Sequence, residues 1–348
     1  MTGSRIQGHA PDRVEPPSVV ALVGPTASGK SELALRVAEA SRAAGREDAV
    51  DRPPPVELVS VDSMAVYRGM DIGTAKPSRQ VRARIPCHLV DLVDPWEEFT
   101  VQRFQGLARR ALGDIASRGH GALLVGGTGL YLRSVIDDLT FPGRYPEAAA
   151  ALAGEVDTAG PPGSDAERSA LEELHRRLSL LDPTAARRIE PTNRRRLLRA
   201  LEVTIGSGHR FSSFGPGLER YPPTDVRLVG LRRDPTTLDR RITERFELLM
   251  EQGFLEEVRA LADRPEGVSR TARQALGYRE LLAHVEDGVP LAEAVAEAER
   301  RTRAFSRRQW AWFRRDPRIV WLDPDDAPVR AILALIGGTP GEAATVGD

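Results

Sequence analysis

A valine-rich apolar run at residues 19–24 leads into Gly24-Pro25-Thr26-Ala27-Ser28-Gly29-Lys30-Ser31. Helical spacing follows at 32–44, through Leu33, Leu35, Val37 and Ala38. The octapeptide fits G-x-x-x-x-G-K-[ST], and it stands where a phosphate loop must stand, between a strand and a helix. Backbone N–H groups around Ala27 to Lys30, with the helix N-terminus, can form an anion cradle. Ser31 has the hydroxyl expected on Mg²⁺. The plainer reading is a glycine turn that opens a helix.

Lysine usage sharpens the motif. Lys and Arg total 49, yet only Lys30 and Lys76 are lysine. A compact ammonium can sit among phosphate oxygens where a planar guanidinium would need fork geometry.

Strands and helices alternate beyond the loop. Strands are predicted at 56–62, 87–94 and 122–125, and a helix at 100–118 with Thr100 as N-cap. Residues 142–223 turn helical, with breaks at 160–163 and 215–223. The α/β pattern resumes at 226–232. Asp234-Pro235 is placed to open a helix as N-cap and N1. Helices then run to about 315, followed by a last strand at 318–323 and a last helix at 329–336. This order predicts an α/β fold: a P-loop NTPase-like parallel sheet with helices on both faces, interrupted by an inserted helical domain. The expected division is a disordered lead at 1–17, core at 18–141, insertion at 142–223, core completion at 224–336 and a disordered tail at 337–348.

Composition excludes some classes. Net charge is −1, so a nucleic-acid site must be a local patch. One cysteine, Cys87, rules out an intramolecular disulfide and a multi-cysteine zinc site, and is read as a buried structural thiol. No apolar run reaches membrane-spanning length and the N-terminus lacks an apolar signal core, so a cytoplasmic protein is expected.

Candidate chemistry gathers at strand ends. Asp62 ends the second strand, where parallel sheets face their ligands. It could be a general base, a metal ligand or the cap of an Asx turn. Thr128 follows the fourth strand in Gly126-Gly127-Thr128, where a hydrolytic ATPase would carry a carboxylate. Those glycines are read as allowing close approach of a ligand. Arg241 and Arg245, four apart on one helix face, could reach a diphosphate or pair with nearby acids. Lys76 reads as a solvated lysine or as part of a functional glycine loop. Two arginine clusters, at 187–199 with only Glu190 opposing and at 300–318 among Phe305, Trp310, Trp312 and Phe313, suit RNA. A solvated helix face over a tryptophan core would read the same in the second.

Together these segments resemble the tRNA dimethylallyltransferases, also called tRNA isopentenyltransferases. The most specific stretch is Asp62-Ser63-Met64-Ala65-Val66-Tyr67-Arg68-Gly69-Met70-Asp71-Ile72-Gly73-Thr74-Ala75-Lys76-Pro77. The loop at 24–31, Leu123-Leu124-Val125-Gly126-Gly127-Thr128-Gly129-Leu130-Tyr131, Arg196-Leu197-Leu198-Arg199-Ala200-Leu201-Glu202-Val203 and Gln274-Ala275-Leu276-Gly277-Tyr278-Arg279-Glu280 follow in the family's order. The resemblance implies transfer of a dimethylallyl group from its diphosphate to N6 of adenosine 37 of tRNA, beside the anticodon, with Mg²⁺ as cofactor. It makes Asp62 the base and puts Thr128, Arg245 and the loop Gly24, Pro25, Thr26, Ala27, Ser28, Gly29, Lys30, Ser31 on the donor. It implies tRNA contact through Asp62, Ser63, Met64, Ala65, Thr128, Arg195, Arg196, Leu197, Leu198, Arg199, Gln274, Gly277, Tyr278 and Arg279. The partners implied are the anticodon stem-loop and dimethylallyl diphosphate, met by a monomer. Two other classes fit the residues less fully: a P-loop small-molecule kinase, and a nucleotide-regulated RNA-binding module without catalysis. The chain departs from the family's pattern at Cys87-His88, where two histidines are common, and at 148–151, where alanines replace an arginine directed at tRNA.

Overall fold

The computed structural model describes residues 19–44, 53–215, 217–325 and 329–337. The expected lead at 1–17 and nearly all of the tail lie outside the described residues. Backbone packing divides the chain into two compact units, Asp137–Pro222 and the remainder on either side of it.

The larger unit is built on strands β1 (Val19–Val23), β2 (Val56–Ser60), β3 (Cys87–His88), β4 (Gly121–Gly126), β5 (Arg227–Leu231) and β6 (Ile319–Leu322). They form one sheet in the order β3-β2-β4-β1-β5-β6, every pairing parallel. Its helices are α1 (Lys30–Ala44), α2 (Arg79–Arg84), α3 (Val101–Ser117) and α4 (Gly129–Ile136). After the helical unit come α9 (Pro235–Glu251), α10 (Phe254–Ala262), α11 (Tyr278–Asp287), α12 (Leu291–Phe313) and α13 (Val329–Gly337).

Strand alternation explains the two layers. Val20 and Leu22 of β1 face a core shared with Leu33 and Val37 of α1 and Ile332 and Ile336 of α13. Ala21 and Val23 face the opposite core, with Phe104 of α3, Phe246 of α9 and Phe313 of α12. A strand buried on both sides reads as a continuous apolar run, as residues 19–23 do. Helices therefore cover both faces, as the sequence predicts. Local capping agrees too. Thr100 accepts from Arg103 N at 3.2 Å, and Asp234 accepts from Thr237 N at 2.8 Å with Pro235 at N1.

The third strand is a correction. Residues 87–94 were expected to be extended throughout, but β3 is only Cys87–His88. Leu89 and Asp91 take positive φ (62° and 54°), which ends a strand.

The helical unit contains α5 (Pro146–Ala159), α6 (Asp165–Leu181), α7 (Pro183–Ala186) and α8 (Arg194–Ser207). Leu152, Val156, Leu171, Leu178, Leu197 and Leu201 form its own core. Buried Asp182 caps α7 through Ala185 N and also accepts from Ser212 N and Oγ, each at 2.7 Å. Burial pushes its carboxyl up, but these donors outweigh that and hold it below the usual carboxylate range. Among the described residues, no helix is long and apolar enough to cross a membrane.

Candidate active site

The sheet order puts the switch point at β1, flanked by β4 and β5, and ligands bind outside the carboxyl ends of strands at such a point. The loop after β1 is residues 24–29, and Lys30 opens α1. Gly24, Ala27 and Gly29 all have positive φ (145°, 68° and 98°), which turns successive N–H groups inward. Ala27 holds this conformation without being glycine, so the surroundings must enforce it.

Three side chains do so. Arg241 Nε donates to Ala27 O at 2.9 Å. Arg233 Nε donates to Ser28 O at 3.3 Å, while its other nitrogens make a forked pair with Asp325. Gln309, buried on α12, accepts from Thr26 N at 2.8 Å. Arg241 thus braces the loop, a role that the sequence did not suggest. Arg233 and Gln309 carried no local signal.

Lys30 is buried. Its Nζ donates to Pro25 O at 2.5 Å and lies 3.5 Å from Ser28 Oγ. Burial pushes the ammonium down to about 7, against the attraction of Asp62 and with the repulsion of Arg245. Arg245 is lowered for the same reason, burial first, with Asp62 opposing. Lys30 and Arg245 therefore both lie within electrostatic reach of Asp62, and Lys30 also of Arg245. Among the described residues none of the three forms an ion pair within 4 Å, so the cations are held ready for an added anion.

Asp62 follows β2. Its Oδ1 accepts from Met64 N at 2.8 Å. The Asx turn is therefore present, and it orients the carboxylate while Oδ2 has no protein partner among the described residues. Thr128 Oγ1 accepts from Ser63 N at 3.3 Å, joining the turn after β2 to the turn after β4.

The glycines beside Thr128 are corrected. In the sequence they read as allowing close approach of a ligand. A Cβ on Gly126 would overlap Val61, one on Gly127 would overlap Gln309 Nε2, and one on Gly129 would overlap Trp312 Nε1. Protein fills that space, chiefly α12.

The loop at 62–77 is fastened at two points. Lys76 Nζ, only 1% exposed, donates to Tyr67 O at 2.5 Å, Asp71 Oδ1 at 2.8 Å and Asp91 Oδ1 at 2.7 Å. It is a staple, so the solvated-lysine reading fails. Glu257 of α10 accepts from Asp71 N, Ile72 N and Gly73 N at 2.8, 2.9 and 3.3 Å, and from Tyr278 Oη at 2.5 Å. Nothing in the sequence around Glu257 marks it.

Expected tRNA contacts fall into two groups. Gln274, Arg279, Arg195 and Arg196 are exposed, and Ser63 and Met64 are half-buried. The side chains of Ala65, Leu197 and Tyr278 are buried, as is Gly277. Leu197 and Tyr278 pack in hydrophobic cores, which leaves their side chains turned to protein, and Leu198 packs against the same helical core as Leu197.

The arginine clusters also need correction. Arg194 pairs with Glu167 at 2.8 Å and Asp157 at 2.5 Å, and Arg199 pairs with Glu202 at 2.5 Å and donates to Pro142 O and Gly143 O. Asp157 of α5, Glu167 of α6 and Glu202 of α8 itself, rather than Glu190, oppose this cluster. In the second cluster Arg301 pairs with Glu280 and Arg303 with Glu299. Trp310 stacks edge-on against Trp321 at 4.7 Å and Phe313 lies in the core. The aromatics there chiefly serve packing. Arg307, Arg308, Arg314 and Arg315 stay exposed.

Cys87 is half-buried, and burial pushes its thiol up to about 11. His88 reaches Glu57 at 2.6 Å.

Comparison with known proteins is consistent with this geometry. Residues 65–316 match the family model described as IPP transferase. A tRNA dimethylallyltransferase of Desulforudis audaxviator is 41% identical over 94% of this chain and 99% of its own. The solved tRNA isopentenylpyrophosphate transferase of Bacillus halodurans shares 33% identity, with a TM-score of 0.62, over 92% of this chain and 96% of that one. A eukaryotic dimethylallyltransferase acting on tRNA, at 23% identity and TM-score 0.67 over 91% of this chain and 78% of that one, shares the fold.

Proposed function

The chain belongs to the IPP transferase family, and on that premise we propose that it moves a dimethylallyl group from dimethylallyl diphosphate to N6 of adenosine 37 in tRNAs reading codons that begin with U. The observation that carries the reading is that the buried cations Lys30 and Arg245 lie within electrostatic reach of Asp62, whose turn is bonded to Thr128 Oγ1 through Ser63 N.

In the reaction the allylic C–O bond breaks and a C–N bond forms to N6. The diphosphate leaves with its charge, and the N6 proton goes to Asp62. Lys30, Arg245 and the loop N–H groups stabilise charge that grows on the leaving oxygen. Their lack of ion-pair partners suits that task. The exocyclic amine is a weak nucleophile because its lone pair is delocalised, so a carboxylate oriented by Met64 N is well used as general base. Thr128 Oγ1 is bound to Ser63 N as acceptor, which leaves its hydrogen to donate to a phosphate oxygen.

Mg²⁺ fits as a partner of the diphosphate. No group of three or more His, Cys, Asp or Glu able to hold a metal exists among the described residues. The Ser31 hydroxyl, together with phosphate oxygens of the donor, would hold the ion. It would supply further neutralisation of the leaving group.

Exposed Arg195 and Arg196 offer the helical unit's phosphate contacts for the anticodon stem-loop. We expect a cytoplasmic monomer. A small-molecule kinase would share the loop, but the relatives named above are transferases. The test is transfer of labelled dimethylallyl groups to unmodified tRNA bearing adenosine 37. A folded protein that transfers no label, or that phosphorylates an acceptor from ATP, overturns the reading.

A further inference from the structure

We propose that Gln309 is a positioning residue for the reaction, fixing the distance between the loop after β1 and the loop after β4. This rests on the function proposed above, because those loops carry the cradle and Thr128.

The side-chain amide is used at both ends. Oε1 accepts from Thr26 N at 2.8 Å, and Nε2 donates to Gly127 O at 2.9 Å. Thr26 and Gly127 belong to neighbouring strands' exits, since Val23 is in register with Gly126. Strand pairing ends there, so no ladder bond sets the gap beyond Val23 and Gly126. Gln309 supplies the missing rung.

The setting is specific for this side chain. Gln309 is 6% exposed, so an unmade amide bond would leave a buried polar group unsatisfied. Gly127 has no room for a Cβ because Gln309 Nε2 occupies that place. One turn on, Trp312 fills the space at Gly129 in the same way. Helix α12 thus presents a template to the residues on both sides of Thr128. Glutamate could accept from Thr26 but would set a carboxylate against Gly127 O. Leucine could fill the volume and make neither bond.

Gln309 touches neither reacting centre in this arrangement. Its effect must pass through Thr26 and Thr128, and this separates it from a merely structural residue. Loss of the rung should loosen the diphosphate site while leaving RNA binding intact.

The experiment compares wild type, Gln309→Leu, Gln309→Glu, Gly127→Ala and the double variant Gln309→Ala with Gly127→Ala. Three quantities are read: affinity for inorganic diphosphate by calorimetry, kcat and donor KM with labelled donor, and tRNA Kd. Gln309→Leu is expected to weaken diphosphate binding and to lower kcat/KM for the donor about 10²-fold, the scale set by a 1 Å misplacement, with tRNA Kd within twofold. Gln309→Glu should fall at least as far. The double variant should be no worse than Gly127→Ala alone, because the clash and the rung are one contact. Equal diphosphate affinity and kinetics in wild type and Gln309→Leu would overturn the proposal. So would a parallel loss of tRNA and diphosphate binding, which marks general damage. Wild type that transfers no label fails the proposed function instead, and its diphosphate affinity against Gln309→Leu still decides the positioning role.

Discussion

The Lys76 ammonium and the Asp91 carboxylate stand 2.7 Å apart and join two loops that local sequence leaves unrelated. Asp91 is also paired with Arg82, and Lys76 reaches on to Asp71 and to Tyr67 O. Burial pushes the Asp91 carboxyl up, but these cations hold it below its ordinary range. Replacing Lys76 by Met keeps the stem and removes its bonds to Asp91, Asp71 and Tyr67 O, while the Arg82–Asp91 pair stays. We expect a loss of about 2–3 kcal/mol in urea unfolding. Lys76→Arg should also destabilise, since a planar fork does not fit three converging acceptors. An unchanged midpoint for both variants would contradict the staple.

Glu57 governs an acid limit. It is buried at the base of β2, accepts a forked pair from Arg118 at 2.9 Å, and meets His88 and His120 at 2.6 Å. Burial alone would raise its carboxyl, but Arg118 and the two histidines bring it down from 4.5 to about 2. A depressed folded value gives stability that is fully present above pH 4.5 and lost as pH falls through about 2. Glu57→Gln should be less stable than wild type at pH 7, and the two should converge between pH 4.5 and 2. Parallel acid-unfolding curves would refute this.

Lys30 carries the opposite sign. Its folded value is about 7 against 10.5 unfolded, so the unfolded chain holds the extra proton between those values and stability rises with pH across that window. Below pH 7 the burial cost is complete. Lys30→Met should therefore melt higher than wild type at pH 7 with no ligand present, and the gap should shrink toward pH 10.5. The same variant should lose diphosphate binding. A wild type as stable as Lys30→Met throughout would show that the ammonium is well solvated.

Asp62 should separate binding from chemistry. Asp62→Ala is expected to lower single-turnover transfer by about 10²–10⁴-fold and to leave tRNA Kd within a few-fold. Asp62→Asn keeps an acceptor for Met64 N and should be equally slow. Wild-type turnover in either variant would remove the carboxylate from the base role.

The four arginines of α8 should divide by their partners. Exposed Arg195 and Arg196 make no ion pair among the described residues, whereas Arg194 and Arg199 are tied to acids. Arg195→Ala and Arg196→Ala should each reduce the salt slope of tRNA binding by about 1, with melting unchanged. Arg194→Ala and Arg199→Ala should lower the melting temperature of the helical unit. Anisotropy titrations across salt concentrations check the slope, and an unaltered slope in the double Arg195/Arg196 variant would remove these contacts.

Glycine at 127 shows where sequence reading stops. Seen as a string, Gly126-Gly127-Thr128 offers room, and a ligand is the natural occupant. In the fold the room belongs to Gln309, 182 residues further along the chain. Leu89 and Asp91 show the same limit at short range. An apolar stretch predicted a full strand, but their left-handed backbone ends it after His88.

What the sequence determined by itself is what local spacing encodes. The glycine loop, the alternation of strand and helix, the caps at Thr100 and Asp234 and the place of Asp62 at a strand end depend on neighbours a few residues away, and backbone sterics act at that range. Tertiary structure decided how the charges are used. Lys30 and Lys76 are both buried lysines in glycine-rich segments, yet one is held without a carboxylate partner and the other is bound to two. That difference depends on which distant groups pack alongside: Gln309 on Thr26, Glu257 on the turn at 71–73, Asp91 on Lys76. Desolvation makes those meetings consequential, because a buried charge or amide must find its partner wherever the fold brings one.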